Sequence, residues 1–346
     1  MSRLAGEDAL IDWLRRQPGT SLIGNDAAVL PPASSNGPFA VTVDHQIEGV
    51  HFPSGLAPDL LARRLLAVNL SDLAAMGASP AYAFLALAAP SGFDHKRFFR
   101  ALLAAGRKYG LRLAGGDLAK NPHGVTAALT LLGTKEDSSR WLNRDGARPG
   151  HGLWLGGTVG ESAAGRMLIE RGARVTGRRV EPPPGFEAFS SLRGEAGRAV
   201  RRHLQPSPQL DLGRWLGTQE EGAAMDVSDG VARDLHRLCR ASSIRGGIRA
   251  EMGAEMGAEI EAEALPFSDR FLPLCEAIGV EPLALALGGG EDYVLLFTLP
   301  ADLSPPEKFA CRRIGTITER PGVILLQDGK RRKLPQVGWD HLAPPK

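Results

Sequence analysis

At 346 residues, 43% apolar and with a formal charge of +2, the chain is an ordinary globular sequence, too long for one small core, and two domains are expected. No basic block stands out, which argues against a nucleic-acid surface. The longest apolar run, Ala81–Ala89, falls far short of the ~20 residues a membrane span needs, and Glu7, Asp8 and Asp12 break up any signal-peptide core.

Ala9–Arg16 reads as a short amphipathic helix, and Ile23–Leu30 as a polar turn opening into a strand. Phe39–Val43 is a second strand ending at Asp44. From Pro58 to Pro80, Leu61, Leu65, Val68, Asp72 and Ala75 recur at steps of four and three, so they share one face of a helix. Pro58-Asp59 starts that helix; Gly77 and Pro80 stop it. Asp72 is the oddity, a carboxylate on the stripe that should face the core, with Asn69 one turn before it and no Lys or Arg on that face. Either the helix rotates Asp72 to a wet rim, or Asp72 faces a cation that the sequence does not contain. Tyr82–Ala88 alternates as a strand, Asp94 caps a helix running to about Tyr109, and Arg112–Ala114 is a short strand stopping at Gly115-Gly116-Asp117. Val125–Leu132 closes a half of about four strands.

The polar segment Lys135–Gly150 marks the domain boundary. Leu153–Leu155 begins a second half, followed by a helix over Ser162–Glu170, a Pro-rich loop over Arg174–Phe186, and helices near Glu195–His203 and Leu210–Leu216. The strand Ala223–Val227 meets Ser228-Asp229-Gly230 and then a helix with Val231, Leu235 and Leu238 on one face. Ala-Glu-Met-Gly occurs twice within Ala250–Glu263, which reads as a surface loop lengthened by duplication. Leu283–Leu287 and Tyr293–Leu299 read as strands, and Ile314–Ile317 with Val323–Leu326 as a hairpin.

Asp26, Asp44, Asp117, Asp226 and Asp229 all sit at the ends of short apolar strands, and Asp72 joins them from its helix. Singly, each would be a cap or turn residue. Together they lie where ligands gather in α/β folds, and such a cluster would repel itself unless a metal filled it. Oxygen ligands suit Mg²⁺, and several Mg²⁺ together imply a polyphosphate. Yet the chain carries no Walker loop and no protein-kinase signature set, and Gly156–Glu161 resembles a phosphate loop only loosely. Cys239, Cys275 and Cys311 lack any CxxC pattern; they suit the reduced thiols of a cytoplasmic protein and suggest neither zinc nor a catalytic thiol.

The segments NDAAVL, TVDHQIEGVHF, LAVNLSDLAAMGASP, AGGDLAKNP, LNRDGARPG, MDVSDG, GGGEDYVLLFT and GWDH, in this order over nearly the whole chain, resemble thiamine-monophosphate kinase. That family belongs with aminoimidazole-ribonucleotide synthetase and selenophosphate synthetase. The resemblance implies an α/β, two-domain synthetase-type fold. An N-terminal ATP- and Mg²⁺-binding domain, 1–137, would carry a four-stranded sheet that pairs into a barrel in a homodimer. A C-terminal domain, 138–346, would carry a mixed sheet with helices. It implies ATP + thiamine phosphate → ADP + thiamine diphosphate, with several Mg²⁺, ATP as co-substrate, and no nucleic acid or membrane partner.

Matched position by position, the resemblance makes Asp26, Thr42, Asp44, Asp72, Asp117, Asp226 and Asp229 the magnesium set, with Asp72, Asp44 and Asp226 acting in catalysis through the bound ions. Gly116, Asp117, Arg144 and Ser228 match nucleotide-contacting positions, and His51, Glu291 and Trp339 match thiamine phosphate positions. His51 would donate to the acceptor phosphate or the pyrimidine; Trp339 would stack on the pyrimidine or the thiazolium, or else anchor the C-terminus; Glu291 could equally cap a turn. The chain departs from the family at Asn25, Val43, Leu118-Ala119-Lys120 and Gly288, which bears on metal count and nucleotide affinity. The N-terminus lacks the reactive Cys of selenophosphate synthetase, and the ending Ala343-Pro344-Pro345-Lys346 lacks the cysteine of the hydrogenase-maturation dehydratase. The alternatives are an aminoimidazole-ribonucleotide synthetase-like enzyme and a catalytically silent nucleotide-binding dimer.

Overall fold

The computed structural model describes residues 28–29, 38–176, 179–185, 191–245 and 256–339. Pro58 fixes the first helical φ and Asp59 sits at the positive end of the dipole, so the expected signal opens helix α1, Pro58–Ala75. Its end is equally local: Gly77 takes φ +69°, and the Gly77 and Ala78 N–H groups donate to the Ala74 and Leu73 carbonyls at 3.0 and 2.8 Å. The predicted stripe is buried at Leu61, Leu65, Val68 and Ala75, but so are Leu60, Leu66, Leu70 and Leu73 around it. Position is the reason, since α1 lies between two sheets and packs on strands of both.

The first sheet holds β1 (Ala28–Val29), β2 (Ala40–Ile47), β3 (Ser79–Ala89), β4 (Arg112–Lys120) and β5 (Thr126–Thr134), in the order β1-β2-β5-β3-β4. Four long strands thus carry a two-residue edge piece, and the β3–β4 pair is the parallel one. Helices α1 and α2 (His95–Arg107) cover one face. Asp94 caps α2 as expected, accepting from Arg97 N–H at 2.9 Å. Alternation sends Ala40, Thr42, Leu85, Leu87, Leu129 and Leu131 inward, and leaves Val43 and Phe84 53% and 41% exposed on the outer face. Two expected strand ends move: β2 continues past Asp44 to Ile47, and β4 runs straight through Gly115-Gly116-Asp117 because β3 pairs with it throughout.

The second half runs through β6 (Gly152–Leu155), α3 (Glu161–Glu170), a small hairpin of β7 (Arg174–Thr176) and β8 (Arg179–Glu181), α4 (Arg193–Leu204), α5 (Leu210–Gly217), β9 (Ala224–Asp226) and α6 (Val231–Arg245). It continues with β10 (Gly257–Glu261), α7 (Phe271–Ile278), α8 (Pro282–Gly288), β11 (Leu295–Leu299), β12 (Arg312–Thr318), β13 (Gly322–Gln327) and β14 (Lys330–Lys333). Its seven-stranded sheet has the order β14-β13-β10-β12-β6-β11-β9. No single described helix is long and apolar enough to cross a membrane.

Four expectations for this half are corrected. The Pro-rich loop contains the β7–β8 hairpin. Leu283–Leu287 is helical: Pro282 occupies the first helical position, and Leu and Ala are strong helix formers whose alternation imitates a strand. The expected hairpin is two strands that never pair, because β10 lies between them, antiparallel to β12 and parallel to β13. That same β10 is the second part of the duplicated segment, with Ala258 and Ile260 fully buried and Glu259 half-buried beside Arg331; 250–255 lie outside the described residues. A continuous apolar cluster runs from the first sheet through α1 and α5 to Phe297 and Leu299 of the second.

The start of α3 is tied to the second sheet by Asp292, whose fully buried carboxylate accepts from the N–H groups of Gly160 and Ser162 at 2.8 and 3.2 Å. Burial pushes its pKa up to about 7, outweighing those two donors, which favour the ionised form. The folded chain therefore binds this proton more tightly than the unfolded chain, so the stability it contributes is lost as pH rises from about 4 through 7. Asp292→Asn removes that loss. Unfolding free energies measured by urea titration of both proteins at pH 5 and pH 8 will move in favour of the variant by up to about 3 kcal/mol at the higher pH; a gap that stays constant would mean the carboxylate is ionised throughout.

Candidate active site on the central helix

The last turn and a half of α1 brings three of the expected aspartates together. Asn69 is fully buried; its Nδ2 donates to the Leu65 carbonyl at 2.8 Å, and its Oδ1 accepts from the Asp44 N–H at 3.1 Å. Asn69 thus fixes the β2 backbone at Asp44 and is not bonded to the Asp72 carboxylate. Thr42 Oγ1 donates to Asp72 Oδ2, and Ser71 Oγ donates to Asp226 Oδ2 at 2.7 Å. Residues 69–72 therefore set Asp44 from β2, Asp72 from α1 and Asp226 from the end of β9. Thr42 and Asp44 stand two apart on one strand, so both face α1.

Asp229 follows Asp226 after a sharp turn, and its carboxylate is ion-paired with Arg237 from α6. Its N–H donates to Asp234 Oδ2 at 3.0 Å, and the Trp339 N–H donates to its carbonyl at 3.1 Å. Asp234 is fully buried; burial and then the Asp229 charge push its pKa up to about 7, while Arg237 and Arg144 pull the other way. Arg144 therefore stands near this group, and its carbonyl accepts from Ser242 Oγ at 2.9 Å.

The substrate positions meet the same turn. Glu291 N–H donates to the Ser228 carbonyl at 2.7 Å, so Ser228, Asp229, Glu291 and Trp339 form one backbone-linked group. A Cβ at Gly290, where φ is +69°, would lie 2.6 Å from that carbonyl, so the close approach requires glycine. Trp339 is 46% exposed on a backbone anchored at the Asp229 carbonyl. His51 lies at the end of β2, where its Nδ1 accepts from Ile47 N–H at 3.1 Å; in the neutral ring the proton is then on Nε2.

Not every expected residue joins. Gly116 and Asp117 lie on β4, exposed at the sheet edge, with β5 and β3 between them and β2. Three strand spacings put β4 about 14 Å from β2 within one chain. Asp26 lies outside the described residues. Val43, where the family has a hydroxyl, points to the outer face and away from α1.

The sequence reading also missed several residues. Arg64 is on α1, fully buried beside the stripe said to hold no cation, and it is ion-paired with Glu291. It sits one turn from both Leu61 and Val68, a spacing that could have exposed it. His203 places Nδ1 3.3 Å from Glu291 Oε2 and 3.3 Å from Ser162 Oγ. Both contacts use one ring nitrogen and Ser162 is fully buried, so the three are not a nucleophilic relay. Burial, with the Arg64 and Arg166 charges, holds the His203 pKa well below its ordinary value. Tyr293 is buried, and burial and the Glu291 charge, aided by Asp44 and Asp226, drive its phenol pKa well up. Burial also pushes the Cys239, Cys275 and Cys311 thiols up to about 12, so none is a thiolate.

The donor set is oxygen only, as hard cations prefer. Among the described residues no three His, Cys, Asp or Glu side chains converge closely enough to cage a metal ion. Such a donor set would suit Mg²⁺ bound through one or two carboxylates at a time together with phosphate oxygens.

A family model for the AIR synthase related protein, N-terminal domain, matches residues 24–134. The thiamine-monophosphate kinase of Aquifex aeolicus is 31% identical over 97% of this chain and 98% of its own length. That of Escherichia coli O157:H7 is 33% identical over 93% and 92%. A solved structure of AaThiL complexed with AMPPCP and TMP superposes with a TM-score of 0.80 at 29% identity, covering 97% of each chain. With sequence identity at this level sustained end to end, the chain belongs to the thiamine-monophosphate kinase family.

Proposed function

We propose that this chain transfers the γ-phosphoryl group of ATP to thiamine phosphate, giving ADP and thiamine diphosphate. The observation that carries the reading is the single turn of α1 that orders Asp44, Asp72 and Asp226 in a chain of this family. An oxygen of the acceptor phosphate attacks the γ-phosphorus as the bond to the β,γ-bridging oxygen breaks. The acceptor is a phosphate monoester with a second pKa near 6, so it is largely dianionic at neutral pH and needs no general base. What it needs is charge compensation and in-line placement.

Mg²⁺, when bound, neutralises phosphate charge; Asp26, Thr42, Asp44, Asp72, Asp117, Asp226 and Asp229 are the residues that would hold it. Thr42 can donate its proton to Asp72 and still offer an oxygen lone pair. Arg144 presents a planar fork to the nucleotide phosphates beside Ser228, while Gly116, like Asp117, would reach them from a neighbouring copy. His51 offers Nε2–H to the acceptor, Glu291 orients it, and Trp339 stacks on a ring. The exposed Val43 and Phe84, with Leu118 exposed on the β4 edge, support a homodimer through the first sheet. Such pairing would also give Asp117 a neighbouring copy to work against. We read 1–137 and 138–346 as the two domains, since no strand is shared between the sheets, and place the protein in the cytoplasm.

The direct test is purified protein with ATP, Mg²⁺ and thiamine phosphate; no thiamine diphosphate at enzyme concentrations comparable to substrate would refute the reading. Asp72→Asn keeps an acceptor for Thr42, so the variant will fold with an unchanged urea midpoint and lose about 100- to 1000-fold in kcat. Near-normal turnover at limiting Mg²⁺ would make Asp72 dispensable. Trp339→Ala will raise KM for thiamine phosphate roughly 2- to 30-fold, the worth of a stacking or cation–π contact, and leave KM for ATP unchanged.

A further inference from the structure

Arg64 has no exposed surface, yet it sits on the helix that orders the carboxylates. Its Nε donates to Gln46 Oε1 at 2.8 Å, one Nη donates to the His203 carbonyl, and the other donates to Glu291 Oε1. Three acceptors from β2, α4 and the loop before β11 thus share one planar fork. The second Glu291 oxygen faces His203 Nδ1 at 3.3 Å. Glu291 itself stands on a left-handed backbone, φ +59°, where few side chains settle without external support. Its carboxylate is a quarter exposed, so one edge opens outward while the rest is held.

We infer that Arg64 is a positioning residue for thiamine phosphate, holding Glu291 of the second half against the helix that carries Asp72. This rests on the reading of Glu291 as a substrate residue. From Arg64 to Asp72 is eight residues, about 12 Å along a rigid helix. Helix α1 therefore sets how far the substrate-holding carboxylate lies from the carboxylates at the phosphate end. Arg64 touches neither substrate nor phosphate and acts through Glu291. A lysine would keep the charge but cannot reach three acceptors in one plane.

The test is steady-state kinetics on Arg64→Lys, Glu291→Gln and the double variant, with urea midpoints for each. Arg64→Lys is expected to raise KM for thiamine phosphate at least about tenfold while KM for ATP stays within about twofold, with a lower midpoint from the acceptors that lysine leaves unmet. The double variant is expected to be no worse than Glu291→Gln alone, because the arginine acts through that carboxylate. If Glu291→Gln raises KM for thiamine phosphate and Arg64→Lys does not, the inference about Arg64 is wrong. If Glu291→Gln leaves that KM unchanged, the reading of Glu291 itself fails. Equal rises in both KM values with a lowered midpoint would make Arg64 a fold residue only and overturn the inference. Should Arg64→Lys not fold, Gln46→Met removes the acceptor that fixes the plane of the guanidinium and keeps the charge pair. A rise in KM for thiamine phosphate alone is again expected, and no rise overturns the inference.

Discussion

A helix buried along most of its length cannot leave its polar side chains to water, and α1 carries Arg64, Asn69 and Ser71 fully buried with Asp72 half-buried beside them. Each unmet buried group would cost about 1–3 kcal/mol, more for the guanidinium. Their partners come from β2 at Thr42, Asp44 and Gln46, from the end of β9 at Asp226, from α4 at the His203 carbonyl, and from the loop at Glu291. Satisfying the helix and assembling the site are therefore one process. The apolar residues of α1 hold the sheets together, and its polar residues decide how those sheets are set against one another.

Two kinds of anchoring divide the acidic groups. Asp229 and Glu291 are matched by the guanidinium groups of Arg237 and Arg64. Asp72 and Asp226 are oriented by the hydroxyls of Thr42 and Ser71, and a hydroxyl orients a carboxylate without cancelling its charge. In the proposed reaction, that manner of anchoring suits carboxylates that would meet a cation. Tyr293 reports the resulting field: its phenol is made hard to ionise by burial and by carboxylates from three elements.

Much of this was legible in the sequence where it depended on local rules. The α1 caps, the Asp94 cap and the anomaly of Asp72 are all short-range signals. What escaped depended on partners distant in sequence. Nothing local marks the partner of Arg64, because Glu291 lies 227 positions away. Asn69 stands one turn before Asp72, whereas its side chain meets the strand backbone at Asp44. A third strand inserted between β12 and β13 leaves no trace in the turn that joins them. Leu283–Leu287 misled for another reason: an alternating Leu/Ala run has the strand period but the helix propensity. The spacing of Asp117 from Asp44 is likewise a property of strand order, which no motif encodes.

The loop before β11 shows why the site needed strain. Glu291 and Tyr293 both take left-handed φ values, +59° and +51°, on either side of Asp292. Each such residue costs of order 1–3 kcal/mol, and regular structure would have avoided that cost. Regular structure could not do what these three residues do. Successive strand residues face only two directions and successive helix residues keep to one rotation. Here Glu291 meets α1, Asp292 meets the start of α3, and Tyr293 lies among the carboxylates of both halves. The strain is held by the Ser228 and Val227 carbonyls, which accept from Glu291 and Tyr293 at 2.7 and 2.9 Å, and by Arg64. Those clamps come from the elements that carry Asp72, Asp226 and Asp229, so the loop can keep its shape only where the site is already built.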